Sequence, residues 1–136
     1  MPPIKILLAD DQPLFREGLR ILLALQPDFE VVGEASNGAE ALQLAAALAP
    51  DVVVMDVAMP VLDGLAATRR LRQTAPHCRV VILTTFGEAD IAAQSARAGA
   101  AACLLKDVPI AEVVAAIRQA AAAGRDRHGR ECDSTT

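Results

Sequence analysis

Short apolar runs alternate along the chain with longer segments in which apolar residues recur every three or four positions. The short runs have the length of strands, and the longer segments have the period of amphipathic helices. Five such pairs fit between residues 4 and 123. Because this alternation is typical of βαβ units, it predicts an α/β fold with a parallel sheet.

The same pattern places the predicted elements along the chain. The third strand, residues 51–56, is a nearly continuous β-branched run, as expected for a strand covered on both faces. Glutamates in the second strand indicate an edge position. The first helix opens at residues 11–13 and ends at residues 26–28. The other predicted strands are residues 4–10, 30–35, 79–84 and 101–105, and the other predicted helices are about residues 39–48, 64–73, 88–98 and 110–123.

The chain length indicates one domain. It has 136 residues, and domains commonly contain about 100 to 150. We assign residues 1–123 to this domain, since the last predicted helix stops at Gly124. Residues 124–136 mix charges of both signs without apolar periodicity. We therefore expect a disordered tail or the start of a linker there, and no output domain.

Composition excludes several classes of function. Hydrophobic residues make up 53% of the chain, but its aromatic residues are only Phe15, Phe29 and Phe86. With a net charge of −4, the chain is not expected to contact nucleic acid directly. It shows neither a membrane-span pattern nor a signal peptide, so we expect a cytoplasmic protein without membrane contact. Three widely separated cysteines fit neither a disulfide framework nor a metal site.

Polar residues gather at the carboxyl ends of four predicted strands. Asp10 and Asp11 end the first strand, Asp56 the third, Thr84 the fourth and Lys106 the fifth. Ligands of open parallel sheets bind outside this edge. We therefore expect three acids, one hydroxyl and one ammonium group to converge there.

The chemistry of this group favours a cation and an anion. Two ionised carboxylates about 4 Å apart repel by roughly 4 kcal/mol at an effective dielectric near 20. Three such carboxylates therefore need a cation, and an all-oxygen site suits Mg²⁺. The Lys106 ammonium suits a phosphoryl or carboxylate oxygen in a small pocket, and the Thr84 hydroxyl can donate to the same anion.

Structural explanations exist for most of these residues taken singly. Asp11 could cap the first helix, Thr84 could serve only its strand, and Lys106 could be a solvated loop residue. Asp56 is harder to explain, because a carboxylate that ends a buried strand needs a partner. The joint placement at four strand ends favours a functional site.

Several segments resemble the receiver domain of two-component response regulators. They are IKILLADD at residues 4–11, VVMDVAMP at 53–60, DG at 63–64, VILT at 81–84 and LLK at 104–106. The resemblance covers about residues 4 to 123. It implies a flavodoxin-like (βα)5 fold, a doubly wound sheet of five parallel strands in the order 2-1-3-4-5.

The resemblance also implies roles for the strand-end residues. Asp56 would accept a phosphoryl group from a sensor histidine kinase, with Lys106 as a cation on the phosphoryl oxygens. Mg²⁺ would be held by Asp11, Asp56 and the backbone carbonyl of Ala58. Asp10 would support the metal directly or through water. In-line transfer to a positioned carboxylate needs such cations and no separate base.

The family switches its surface through two further positions, which here are Thr84 and Cys103. The Thr84 hydroxyl would move to the phosphoryl group while an aromatic residue on strand five turns inward. Cys103 replaces that aromatic residue, so this half of the switch departs from the family. Asp107 also stands where many receivers have a proline after the lysine.

Other segments resemble the NarL/FixJ (LuxR-type) subfamily: DDQPLFREGL at residues 10–19, LTTF at 83–86 and LLKD at 104–107. Members usually continue into a helix-turn-helix DNA-binding domain, which the residues after Gly124 are too few to form. The chain is thus predicted to be a receiver taken from a longer transcription regulator or a stand-alone receiver. Dimer formation on phosphorylation is left open.

Two alternatives remain. A Mg²⁺-dependent phosphohydrolase working through an aspartyl-phosphate also carries acids after strand one. Such enzymes have a second acid two residues after the first, whereas Gln12 and Pro13 follow the acids here. The other alternative is an interaction module whose acidic pocket is never phosphorylated.

Overall fold

The computed structural model describes residues 2–85 and 89–134, and for residue 89 and residues 125–134 it describes the backbone alone. Ten elements alternate along the chain. They are β1 (Ile4–Ala9), α1 (Pro13–Ala24), β2 (Phe29–Ala35), α2 (Gly38–Leu48), β3 (Val52–Asp56), α3 (Gly64–Thr74), β4 (Arg79–Thr84), α4 (Ala89–Ala98), β5 (Ala102–Leu105) and α5 (Ile110–Ser134). The predicted start of the fourth helix at residue 88 lies outside the described residues.

All five strands are parallel and form one sheet in the order β2-β1-β3-β4-β5. This confirms the expected flavodoxin-like order and the edge position of β2. Every residue of β3 is buried, as its β-branched run predicts for a central strand covered on both faces. None of the described helices is long and apolar enough to cross a membrane.

Two apolar cores lie on opposite faces of the sheet. Alternate residues of β1, β3 and β4 pack with α1 and α5 in one core and with α2 and α3 in the other. Helix α4 packs against α3 and β5. The period of two along each strand therefore assigns its side chains to one core or the other. Asp10, Asp56 and Lys106 continue the α1/α5 side of their strands.

The strand register brings the strand ends together. Ala9 pairs with Met55, Asp56 with Leu83, and Thr84 with Leu105. The residues that follow β1 and β5 therefore lie beside the last residues of β3 and β4. This alignment is the structural basis of the site.

The last helix differs from the sequence-based expectation. The expected end at Gly124 was wrong, because the α5 backbone continues to Ser134. A Cβ built on Gly124 would lie 3.0 Å from Cγ of Arg79, so this glycine allows a close approach to β4 rather than ending the helix. Glycine in a helix costs only about 1 kcal/mol relative to alanine, and no proline follows it. The domain boundary at residue 123 and the role of residues 124–136 as a tail or linker stay predictions.

The glycine that begins α3 supports the site more directly. A Cβ on Gly64 would overlap the backbone carbonyl of Asp56, and the Gly64 N–H donates to the carbonyl of Val57 at 2.9 Å. Helix α3 therefore begins against the end of β3, and only a residue without a side chain fits there.

We predict that Gly64→Ala lowers the free energy of unfolding by about 2 kcal/mol or more, because backbone must move to relieve the overlap. Gly18 in α1 is the matched control, since a Cβ there meets nothing within 4 Å. Gly18→Ala should raise stability by about 0.5–1 kcal/mol through helix propensity. Chemical denaturation of both variants checks this. Equal changes in the two variants would contradict the steric explanation.

Candidate functional site

Three acids converge at the carboxyl edge of the sheet. Each of Asp10, Asp11 and Asp56 offers a carboxylate oxygen, and these oxygens lie within 4.8 Å of one another. Asp10 and Asp56 are each only 5% exposed, whereas Asp11 is exposed. The structure thus brings together the acids that the sequence places at two strand ends. Two of them are buried, and one faces solvent.

The Lys106 ammonium lies among these acids. Its Nζ is 2.7 Å from Oδ2 of Asp10 and 3.2 Å from Oδ2 of Asp56. A third contact, of 3.0 Å, joins Nζ to the side-chain oxygen of Gln12. The Lys106 side chain is 7% exposed, so its interpretation as a solvated loop residue was wrong. The ammonium offsets the repulsion between the two buried carboxylates.

The ring of Phe15 lies beside the same ammonium, with its centroid 4.4 Å from Nζ of Lys106. This is within cation–π range. The sequence placed Phe15 only among the few aromatic residues and on the apolar face of the first helix, and Gln12 only as a non-acidic residue after the acids, at the start of that helix, and neither residue was assigned to the site. The available signal was their position directly after Asp10 and Asp11, on a helix that begins at the carboxyl edge of the sheet.

The start of α1 also settles the alternative explanation of Asp11. The N-cap residue of α1 is Gln12, and no side chain caps the helix. The backbone N–H of Gln12 donates instead to Oδ1 of Asp10, at 2.8 Å. Capping by Asp11 is therefore wrong, and its carboxylate stays in the acid cluster.

Burial raises the pKa of Asp56 above its ordinary value, because desolvation disfavours the charged carboxylate. The Lys106 ammonium acts in the opposite direction, while the neighbouring Asp10 carboxylate raises the pKa further. A hydrogen bond from the backbone of Ala58 to Asp56 lowers it slightly. The net result is a pKa of Asp56 above its ordinary value in the folded protein.

The two expected switch residues also have defined positions. Thr84 ends β4 and is buried, with 1% exposure. Cys103 pairs with Ile82 of β4 and packs, partly buried, against the α2/α3 core. Since Thr84 lies two residues after Ile82, Thr84 and Cys103 are on the same face of adjacent strands. The geometry is compatible with a coupled movement, which stays a prediction.

The acid cluster fits a hard dication. Three carboxylates whose oxygens can approach one point form the kind of donor set that Mg²⁺ takes together with water. Asp11 leaves one side of the cluster open to solvent. A partly hydrated ion therefore has both ligands and a route of entry.

We predict that Asp56→Asn raises the free energy of unfolding in chelator at pH 7, because burial disfavours the charged carboxylate. The folded-state pKa is raised from 3.8, so neutral Asp56 contributes stability below the unfolded pKa, and this contribution is lost as pH rises through the folded pKa. The advantage of asparagine should therefore grow with pH across that window. Asp11→Asn should gain less, because Asp11 is exposed. Melting curves at pH 3.5 and pH 7 measure both, and a pH-independent difference would contradict the burial argument.

Comparison with known proteins agrees with this geometry. The family model described as "Response regulator receiver domain" matches residues 6–118. YxjL, a transcriptional regulatory protein of Bacillus subtilis (strain 168), is 44% identical over 118 residues, which cover 87% of this chain and 54% of the relative. The nitrate/nitrite response regulator protein NarL of Escherichia coli (strain K12) is 38% identical over 88% of this chain and 56% of its own length. The chain therefore spans about half the length of these relatives.

Solved structures show the same similarity in three dimensions. The crystal structure of a two-component response regulator of the LuxR family from Aurantimonas sp. SI85-9A1 superposes with a TM-score of 0.85. It is 37% identical, and the match covers 89% of this chain and 86% of that chain. The chain belongs to the response regulator receiver domain family and is most similar there to NarL/LuxR-type regulators.

Proposed function

We propose that the chain is a phosphorylation-dependent signalling receiver in which Asp56 accepts a phosphoryl group from a sensor histidine kinase. The observation that carries this proposal is the position of Asp56, buried at the end of β3 with two further acids and the Lys106 ammonium around it. A carboxylate with only a structural role needs one partner. Asp56 contacts the Lys106 ammonium, and the same ammonium also contacts the carboxylate of Asp10.

In the transfer, a carboxylate oxygen of Asp56 forms the new bond to phosphorus as the bond from phosphorus to the kinase histidine nitrogen breaks. Lys106 stays near the equatorial oxygens, where negative charge accumulates. The Thr84 hydroxyl, at the end of the adjacent strand, donates to the same group. No base is needed, because an ionised carboxylate is already the nucleophile.

Asp10, Asp11 and Asp56, with the backbone carbonyl of Ala58, would hold Mg²⁺. The ion would neutralise the acids and the transferring phosphoryl group. The raised pKa of Asp56 supports this proposal, because burial disfavours the charged carboxylate in the protein without a metal. A second positive charge beside the carboxylate favours the ionised form that attacks phosphorus.

The proposed output is regulation of transcription. The relatives named above are transcriptional regulators or response regulators and are about twice as long as the match. In this proposal, a DNA-binding domain outside this chain acts on DNA, and the receiver contributes the kinase contact and the switch through Thr84 and Cys103. We place the receiver in the cytoplasm and assign it the role of a phosphoacceptor, not an enzyme, that assists its own phosphorylation and dephosphorylation.

We predict that Asp56→Asn abolishes phosphate incorporation from acetyl phosphate and Mg²⁺, because the only attacking carboxylate is gone. Asp63→Asn is the matched control. Asp63 is exposed and caps α3 by accepting from Ala66 N–H at 2.9 Å, and asparagine caps equally well. Intact-mass spectrometry should show phosphate on the parent and the control only. Rapid phosphate release without a stable adduct would favour a phosphohydrolase, and an unchanged mass of the parent would favour a module that is not phosphorylated.

We predict that Asp11→Ala weakens Mg²⁺ binding at least tenfold, since the ion has few protein ligands to lose. Asp107→Ala removes the same charge from an exposed position next to Lys106 but outside the acid cluster. It should change the affinity by less than about twofold, because exposed charges are screened. Isothermal titration calorimetry measures both. Equal weakening by the two variants would identify a general charge effect and exclude Asp11 as a ligand.

A further inference from the structure

The Lys106 ammonium has three N–H donors, and its surroundings divide into two kinds. Asp10 and Asp56 are the acids that a cation would share with it. Gln12 and Phe15 carry no charge and are not in the acid cluster. Two of these four residues around the ammonium are thus not among the proposed metal ligands.

Both neutral contacts come from the start of α1. Gln12 is the N-cap residue and Phe15 follows three positions later, and both side chains contact the Lys106 ammonium. The Gln12 backbone is tied to the acid cluster by its 2.8 Å hydrogen bond to Asp10. Arg16 holds the same region by donating to the backbone carbonyl of Asp10 and to Glu34 of β2. The helix start therefore has a defined position relative to Lys106.

A cation bound to Asp10 and Asp56 would change the electrostatic environment of the Lys106 ammonium. The two like charges then repel, and the carboxylates that attract Lys106 in the metal-free protein are partly neutralised. A lysine side chain is flexible, because a four-carbon stem joins its ammonium to the backbone. Without other contacts, the ammonium would leave the pocket for solvent before the phosphoryl group arrives.

We propose that Gln12 and Phe15 are positioning residues that keep the Lys106 ammonium at the phosphoryl side of the pocket when Mg²⁺ occupies the acids. This inference rests on the proposed phosphoryl transfer to Asp56. Gln12 supplies an acceptor that a metal ion does not neutralise, and the Phe15 ring supplies a negative π face in a partly buried setting. Neither residue touches the reacting atoms, so each acts through Lys106.

The first test observes the ammonium directly. The chain has two lysines, Lys5 and Lys106, and Lys5 is exposed, so side-chain ¹⁵N NMR has an internal reference for a solvated ammonium. With Mg²⁺ alone, the Lys106 N–H protons should exchange slowly enough to be seen in the parent protein. They should be lost in Gln12→Ala, while the Lys5 signal is the same in both proteins. A persistent Lys106 signal in Gln12→Ala would overturn the proposal.

The second test measures coupling to Lys106. At saturating Mg²⁺, Gln12→Ala and Phe15→Leu should each slow phosphorylation by acetyl phosphate about three- to tenfold, and the same substitutions in a Lys106→Ala background should change the rate less than about twofold. Glu17→Ala, on an exposed position of α1, is the control and should leave the parent rate unchanged. Equal slowing in both backgrounds would show that α1 acts on the fold rather than on Lys106, and would overturn the proposal.

The two tests also separate this inference from the proposed function. If the parent protein takes up no phosphate but its Lys106 signal depends on Gln12, the phosphoryl transfer fails and the positioning stands. If the parent is phosphorylated and neither substitution affects the Lys106 signal or the rate, the positioning fails and the transfer stands.

Discussion

Two buried carboxylates lie side by side at the carboxyl edge of the sheet, and the Lys106 ammonium between them offsets their repulsion. Asp10 and Asp56 end neighbouring strands, so the parallel order of β1 and β3 forces them together. Lys106, which follows β5, reaches both acids because the carboxyl ends of β4 and β5 are aligned with that of β3. The sheet topology therefore brings two repelling carboxylates together and also places beside them the ammonium that offsets their repulsion.

Other features of the fold support this triad. Gly64 lets α3 begin against the Asp56 carbonyl, and the Arg16 side chain holds the Asp10 carbonyl. Helix α1 has two functions, because Leu19 and Leu23 bury it in the core while its first residues contact Lys106. A shift of α1 would therefore alter packing and the charge environment of the site together.

The charges of the two buried carboxylates are only partly balanced by the Lys106 ammonium. Desolvation outweighs the attraction of Lys106, so the pKa of Asp56 remains raised without a metal. The two buried carboxylates have one ammonium between them, and a further cation would offset the repulsion that remains. An added cation would lower the pKa of Asp56 toward its ordinary value and so favour the ionised carboxylate that the proposed transfer uses.

The sequence by itself determined the number and order of the elements, the edge position of β2 and which acids stand at strand ends. These follow from periods of two and 3.6 and from residue type, which are local properties. Tertiary structure decided that Asp11 is exposed while Asp10 is buried, that Gly124 lies within α5 against Arg79, and that Gln12 and Phe15 contact Lys106. Gln12 and Lys106 are 94 positions apart, so their contact depends on strand register, on the position of α1 and on a lysine rotamer. No local pattern encodes that combination, because each of its parts is set only when the helices have packed on both faces of the sheet.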